Sequence, residues 1–379
     1  MRSICFTLFL CLIPSALAAS LSQRIDEAAE SEMERQQIVG FAVGIIQENQ
    51  ITHLKGYGWE DREKRIPVTR KTMFRWASIS KSLTALAAMQ LWEKGHLQLD
   101  ADVRRYVPEF PNKGHKITPR QLLSHQGGIV HYTNGPVIVT VRQYKQPNPF
   151  ESVLLALDTF KESPLVNLPG EKYSYTTHGF ILLSTAVERA GKEKFAHQVR
   201  DRIVKPLRME TLQPDYQWVE IQNRTIGYRK RQEKIVVSSN TDVSWKLAGG
   251  GYISNIDDLT KLGEGLLNGK LVKPETLKLM WTPRKTSTGE QTSYGLGFRQ
   301  WNYVDGKLQR TLTKSGESNL KDKMTLRLMG HSGSQQKTKT LLVLEPSKKF
   351  GIALMSNSEQ TKIYEAAEAI LKAAISLKP

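Results

Sequence analysis

The stretch from Phe74 to Leu91 constrains this chain most. From Ser78 onward the apolar residues fall at Leu83, Leu86, Ala87 and Leu91, and neither proline nor glycine interrupts before Gly95. That 3.6-residue period predicts a helix packed into a core, beginning at or near Ser78. Three residues make about one helical turn, so the Ser78 hydroxyl and the Lys81 ammonium are expected on one face, close enough for the amine to take the hydroxyl proton. A serine nucleophile activated by lysine requires this. The pattern is weak by itself: Ser-x-x-Lys arises by chance roughly once or twice in a chain of this length. It recurs at Ser318 to Lys321 and at Ser334 to Lys337. Only Ser78 opens a long apolar-periodic helix, and its plainer reading is an N-cap serine followed by a surface lysine.

The 379 residues suit one large domain or two interleaved lobes. With 39% hydrophobic and 24% charged residues the chain reads as globular, neither disordered nor membrane-spanning. Met1-Arg2, the apolar run Ile4 to Ile13, Pro14 and Ala16-Leu17-Ala18 form the three parts of a secretory signal peptide over residues 1–18. A secreted or periplasmic mature protein is therefore expected. Both cysteines, Cys5 and Cys11, lie in that segment, so no disulfide or thiol nucleophile is expected. No His-Glu-x-x-His or comparable spacing occurs, and neither a metal nor a cofactor is expected.

The balance of 54 Lys+Arg against 37 Asp+Glu is strongly basic, but the cations are scattered in short groups such as Arg229-Lys230-Arg231 and Lys348-Lys349. In an exported protein the counterpart would be an anionic cell-wall or membrane surface and not nucleic acid. A solvated basic surface without a dedicated partner explains the same scatter and is the preferred reading. The oligomeric state is not legible.

Along the chain, Ser22 to Gln37 reads as an amphipathic helix. Val39 to Gln47 and Ile51 to Trp59 read as a β-hairpin. Thr118 with Pro119 marks a helix start. Pro136 to Val243 shows mostly helical patterns, clearest at Phe150 to Lys161 and His178 to Ala190. After Ala248 to Gly251 come a helix at Ile256 to Leu267 and strand candidates at Tyr294 to Trp301, Leu308 to Thr313, Thr325 to Met329, Thr340 to Leu344 and Phe350 to Met355. An apolar-periodic helix from Ile363 to Ile375 closes the chain. The expected architecture is α/β, of the α+β kind. One antiparallel sheet is shared by residues 19–75 and 245–379 and flanked by helices, with an all-helical lobe over residues 76–244 inserted between them.

Two further stretches look chemical. Gly170 to Thr177 ends a polar turn just before the helix at His178, where side chains can project into a cleft. Met329-Gly330-His331-Ser332-Gly333-Ser334 follows a strand candidate, and its glycines permit close backbone approach. Gly330 to Ser334 approximates a Gly-x-Ser-x-Gly elbow, but its fifth residue is Ser and the βαβ alternation of that fold is missing.

In their order, these stretches resemble the serine β-lactamase and penicillin-binding-protein superfamily, in which Ser-x-x-Lys precedes a Tyr or Ser motif and then Lys/His-Thr/Ser-Gly. The match is to the class C-like serine hydrolase branch, and within it to the bacterial relatives of the mitochondrial serine β-lactamase-like protein. Besides Phe74 to Thr84 and His331-Ser332-Gly333, it is carried by Leu122-Leu123-Ser124-His125-Gln126-Gly127-Gly128-Ile129 and by Pro169-Gly170 with Tyr173 to Thr177. Trp245 to Gly251, Lys273 to Thr276 and Met280 to Pro283 extend it over nearly all of the mature chain.

The resemblance implies that Ser78 is the acylated nucleophile, Lys81 its proton acceptor, and Tyr175 a proton shuttle to the leaving group and the deacylating water. It implies an oxyanion hole from the backbone N–H groups of Ser78 and Ser334, and a cleft for a peptide, amide or ester bound near Thr177, His331, Ser332 and Gly333. His125 and His178 read as structural. Many members carry Asn at the position of Thr177, whose hydroxyl cannot supply the same donor and acceptor pair. Many carry Lys at the position of His331, so a fixed cation for a carboxylate is expected to be missing. Weak or absent β-lactamase activity follows as the expectation. A β-lactamase or D,D-peptidase, and a non-catalytic scaffold, are the alternatives.

Overall fold

A computed structural model describes residues 20–310 and 326–375. The segment read as a signal peptide and the Ser318 to Lys321 pattern lie outside the described residues. Helix α1 (Leu21–Gln36) begins with a reciprocal cap, in which Ser20 Oγ accepts from the Gln23 N–H and the Gln23 side chain accepts from the Ser20 N–H. The cap satisfies two donors that a helix start leaves orphaned. Strands β1 (Gly40–Gln47) and β2 (Gln50–Asp61) form the expected hairpin, followed by β3 (Ile66–Pro67) and β4 (Phe74–Arg75). A 3-10 turn, Ala77–Ile79, leads into α2 (Ser80–Glu93). Helix α3 (Pro119–Leu123) has Thr118 as its N-cap with Pro119 at the first position, as the sequence predicts.

There follow α4 (Val153–Ala156), α5 (His178–Gly191), α6 (Phe195–Val199), β5 (Gln213–Pro214), β6 (Tyr228–Arg231), β7 (Lys234–Val237), α7 (Leu247–Gly250), β8 (Tyr252–Ser254), α8 (Ile256–Leu267) and α9 (Pro274–Trp281). The last part holds β9 (Arg299–Val304), β10 (Lys307–Arg310), β11 (Leu326–Gln335), β12 (Thr338–Glu345), β13 (Phe350–Ser356) and α10 (Ile363–Ile375).

Both ends of the chain share one sheet with strand order β10-β9-β11-β12-β13-β1-β2-β3, antiparallel at every pairing. Side chains alternate across it. Phe41, Val43 and Ile45 of β1 pack with Ile25 of α1 and Ile363 and Ile370 of α10. Ala42 and Ile46 face the other core, with Leu259 and Leu262 of α8. Covered on both faces, β13 is buried along its whole length. Gly44 lets α8 come close, since a Cβ there would stand 2.0 Å from Thr260 Oγ1. Helix α2 is buried from Ser80 to Leu91 on all sides, not along one stripe, and packs against α5 and α7.

The inserted lobe is not wholly helical. Phe150 to Lys161 is split into the 3-10 turn Pro149–Glu151, α4 and the 3-10 turn Leu157–Thr159. Strands β6 and β7 form a separate hairpin, and β5 joins β4 and β8 in a small sheet. The β6–β7 loop, Gln232-Glu233, has positive φ at both residues. It therefore makes a tight hairpin turn without the Asn-Gly or Asp-Gly sequence that would announce one. Tyr294 to Trp301 is likewise not one strand: Gly297 has φ +80°, and the Gly295 N–H donates to Phe298 O at 2.8 Å. The chain doubles back there, so Tyr294 is bridged to Arg299, where β9 starts.

Candidate active site

Ser78 is the middle residue of the 3-10 turn before α2, and that turn is clamped from two sides. The Trp76 N–H donates to Tyr252 O of β8 at 2.8 Å. Thr338 and Thr340 of β12 donate through Oγ1 to Arg75 O and Trp76 O at 2.9 and 3.0 Å. Between them Ala77 has φ +47°, a left-handed conformation that costs an L-residue about 1–2 kcal/mol. The surrounding bonds hold this strain immediately before Ser78.

Lys81, in the first turn of α2, is fully buried. Its Nζ lies 3.2 Å from Ser78 Oγ and 3.2 Å from Thr177 Oγ1, and donates to Gly249 O at 2.6 Å. Burial, and then repulsion from Lys246, hold its pKa well below the usual lysine range, and no carboxylate among the described residues offsets them. The Lys81 Nζ also lies 4.9 Å from the centre of the Tyr175 ring. Burial pushes the Tyr175 phenol up, against a hydrogen bond with Ser78 that lowers it. The ring is fixed by His125 at 4.3 Å between centres, while His125 Nδ1 accepts from the Thr176 N–H at 3.1 Å. His178, stacked on Phe160, donates through Nδ1 to Val130 O. His125 and His178 thus have the structural surroundings expected of them.

The Lys/His-Thr/Ser-Gly stretch lies on β11, against the Ser78 turn. Gly333 permits the contact, since a Cβ there would stand 2.4 Å from Trp76 O. His331 is buried with both ring nitrogens engaged. Ser332 O can only accept, so Nδ1 carries the hydrogen in that 2.7 Å bond, and Nε2 accepts from Tyr294 Oη at 2.8 Å. Burial and the charge of Lys81 bring its pKa down to about 3. The ring is therefore neutral near neutrality.

Ser332 and Ser334 project from the other side of the strand. Ser332 Oγ bonds Tyr364 Oη of α10 at 2.7 Å, and Ser334 Oγ accepts from Lys339 Nζ at 2.6 Å. Alternation along β11 turns the Ser332 hydroxyl away from the cleft it was expected to line. Thr177, expected on the substrate, instead has its hydroxyl on Lys81 and its N–H on His131 Nδ1 at 3.1 Å.

Four residues of the site escape the sequence reading: His131, Lys246, Tyr294 and Arg299. His131 lies two residues beyond the Leu122 to Ile129 segment and Lys246 within Trp245 to Gly251, which was their available signal. Lys246 is held at a pKa of about 8 by burial and then by Arg75. Arg299 donates through Nη2 to Tyr173 Oη at 2.8 Å and through Nη1 to Ser293 Oγ at 3.0 Å.

The Beta-lactamase family model matches residues 25–375. Serine beta-lactamase-like protein LACTB, mitochondrial, of Homo sapiens is 30% identical over 346 residues, covering 71% of this chain and 63% of that protein. Protein flp of Staphylococcus aureus (strain MW2) is 23% identical over 340 residues, covering 88% of this chain and 63% of that one. The chain thus spans less than two thirds of the length of these curated relatives. Among solved structures, the octameric penicillin-binding protein homologue from Pyrococcus abyssi has a TM-score of 0.72 at 24% identity, over 93% of this chain and 77% of its own. The D-amino acid amidase from Ochrobactrum anthropi SV3 has a TM-score of 0.72 at 19% identity, over 94% of this chain and 98% of its own. Such structural likeness establishes the fold. With the family model matching residues 25–375, the chain belongs to the Beta-lactamase family.

Proposed function

We infer that the protein is an exported serine hydrolase that forms an acyl-enzyme on Ser78 from a peptide, amide or ester. The observation that carries this reading is the Lys81 amine, buried without a carboxylate partner and 3.2 Å from Ser78 Oγ. Burial favours the neutral form of a lysine so placed, and the neutral amine can accept the serine proton. Ser78 Oγ then bonds to the substrate carbonyl carbon as the carbonyl π pair moves onto oxygen. In a ladder closed by the two-residue loop Gln336-Lys337, Gln335 and Thr338 form the hydrogen-bonded pair, so Ser334 directs its N–H away from β12. Together with the Ser78 N–H it is the donor pair for that oxyanion.

When the intermediate collapses, the bond to the leaving nitrogen or oxygen breaks, and Tyr175 supplies the proton. Its raised pKa keeps it an acid, and the proton gained by Lys81 restores it. Water then bonds to the acyl carbon as Tyr175 and Lys81 take its proton, the bond from that carbon to Ser78 Oγ breaks, and the same pair returns the proton to Ser78 Oγ as the acid leaves. The D-amino acid amidase among the similar structures supports amides as substrates, and the amino-terminal pattern of residues 1–18 supports export.

Intact-mass spectrometry after exposure to a neutral fluorophosphonate tests the reading. One adduct is expected, absent from Ser78→Ala. A folded protein that takes up no adduct would be a non-catalytic member of the family, and an adduct that persists in Ser78→Ala would place the nucleophile elsewhere.

A further inference from the structure

The sheet face that packs on α8 is apolar through β12, β13 and β1, where Leu342, Leu344, Ala353, Met355, Ala42 and Ile46 share one core. On β9 and β11 that face turns polar. Alternation sends Trp301, Tyr303, Leu326 and Leu328 into the core beneath α10, and so turns Gln300, Asn302, Arg327 and Met329 to the opposite face. There Gln300 stands beside Met329 and Asn302 beside Arg327 across the β9–β11 ladder. These four form one side of an open groove of about 1240 Å³, and α9 with Trp281 forms the other. Ser78, Lys81, Tyr175 and His331 do not line the groove, which is therefore separate from the cleft.

The groove holds polar groups that the protein itself leaves unmatched. Gln300 and Asn302 are 7% and 9% exposed, yet neither side-chain amide makes a hydrogen bond among the described residues. Burying an amide without a partner is costly, and such groups are rare where the role is structural. Trp281 Nε1 and Glu345 Oε2, in residues that also line the groove, are buried without a partner as well. Glu345 Oε1 accepts from the Ser347 N–H and Oγ at 3.2 and 2.5 Å. Lys278, Arg327 and Lys348 stand exposed at the rim, as cations do over much of this basic chain, whereas the buried groups are two neutral amides, an indole N–H and a carboxylate. Each amide offers a donor and an acceptor side by side, the match for two neighbouring ring hydroxyls or an acetamido group. The partly exposed Trp281 ring offers apolar surface to the C–H face of a sugar ring. The volume exceeds the roughly 300–1,000 Å³ usual for a compact ligand, and suits a chain of rings. A peptide added as a strand would need a free sheet edge, and β9 and β11 are each paired on both sides.

We propose that the groove between α9 and the β9–β11 pair is a second binding site, which takes a neutral oligosaccharide. Gln300 and Asn302 pair with its hydroxyls, Trp281 packs against one ring, and the buried Glu345 carboxylate disfavours acidic sugars. No bond is made or broken there, and the assignment is independent of the acyl-enzyme reading.

Calorimetric titration of the full chain with cellotriose, triacetylchitotriose and trigalacturonate tests the site. Saturable binding of at least one of the two neutral trisaccharides is expected, tighter than that of trigalacturonate and unchanged in Ser78→Ala. Binding of cellotriose alone would assign the site to plain glucose chains, and of triacetylchitotriose alone to N-acetylated ones. Gln300→Leu and Asn302→Leu should each weaken the neutral sugar at least about tenfold, because each removes a paired donor and acceptor. Neither variant should lower the midpoint of urea unfolding, since the amides it replaces have no partner in the protein. A lowered midpoint in both variants would make the amides structural and overturn the proposal. So would the absence of binding by either neutral sugar, tighter binding of trigalacturonate, or binding undiminished in either leucine variant.

Discussion

Thr177 Oγ1 lies 3.2 Å from Lys81 Nζ, and Thr177 is itself anchored through its N–H to His131 Nδ1 at 3.1 Å. An acceptor at that place stabilises the ammonium form, opposing the burial that favours the neutral amine. Thr177→Val keeps the shape and removes the acceptor, so Lys81 should lose its proton more readily. Labelling of Ser78 rises with pH as Lys81 deprotonates, and in the variant this rise should shift to lower pH. Rate constants for fluorophosphonate labelling between about pH 5 and pH 9 measure the shift. A rise that stays in place, or moves to higher pH, would show that Thr177 does not tune the lysine.

Stability should fall on mild acidification, because several histidines are buried neutral. His331 and His131 are lowered to about 3 and His178 to about 4, by burial first and with the charge of Lys81 contributing in each. Above the ordinary histidine value both the folded and unfolded chains are neutral at these sites, and no pH dependence arises. Below about pH 6.5 the unfolded chain takes up protons that the folded chain refuses, so stability is lost until the folded values are reached. At about pH 5 the loss should be on the order of 1–2 kcal/mol for each histidine. Urea unfolding at about pH 7.5 and pH 5 checks this, with His331→Gln expected to lose less than the wild-type protein. Equal midpoints at the two pH values would count against it.

Gly333→Ala should disable the site without touching a reacting group. The new Cβ would stand 2.2 Å from Thr340 Oγ1 and 2.4 Å from Trp76 O, and the latter is backbone of the Ser78 turn. Either the turn or β11 must shift, at about 1–3 kcal/mol of stability. Ser78 and the Ser334 N–H then lose their alignment, so labelling should slow by at least about tenfold while the protein remains folded at room temperature. Wild-type labelling by Gly333→Ala would mean that the close packing of β11 on this turn is dispensable.

The parts of the site that the sequence discloses are those fixed by local geometry. Ser78 and Lys81 are one helical turn apart in a run whose apolar period is unmistakable, and Thr118 with Pro119 announces a helix start by its own chemistry. Alternation within β11 would also have separated the cleft-facing His331 from the outward-facing Ser332, had the strand been placed in register. Tyr294 and Arg299 were out of reach for a different reason. Their meeting depends on a glycine turn hidden inside an apolar run that otherwise reads as one strand. His131 and Lys246 lie beside and within motif segments, but nothing local assigns them to the site, since only the packing of α5 and α7 beside α2 brings them near Lys81. The β6–β7 hairpin escaped because its turn residues, Gln232 and Glu233, adopt a conformation that usually selects Gly or Asn.

The same geometry predicts poor handling of β-lactams. A penicillin or cephalosporin places its ring carbonyl at the nucleophile and its carboxylate beyond it, and hydrolysis further demands prompt deacylation. His331 is neutral, with both nitrogens committed to Ser332 O and Tyr294 Oη, so it has no free donor for that carboxylate. Thr177 spends its hydroxyl on Lys81, where an asparagine would have an amide to offer the acyl side chain. The purified protein should therefore hydrolyse a chromogenic cephalosporin at least about a hundredfold less efficiently, in kcat/KM, than an open-chain ester. Comparable efficiency on the two would show that neither the uncharged His331 nor Thr177 restricts the cleft, and would make the protein a β-lactamase in activity as well as in family.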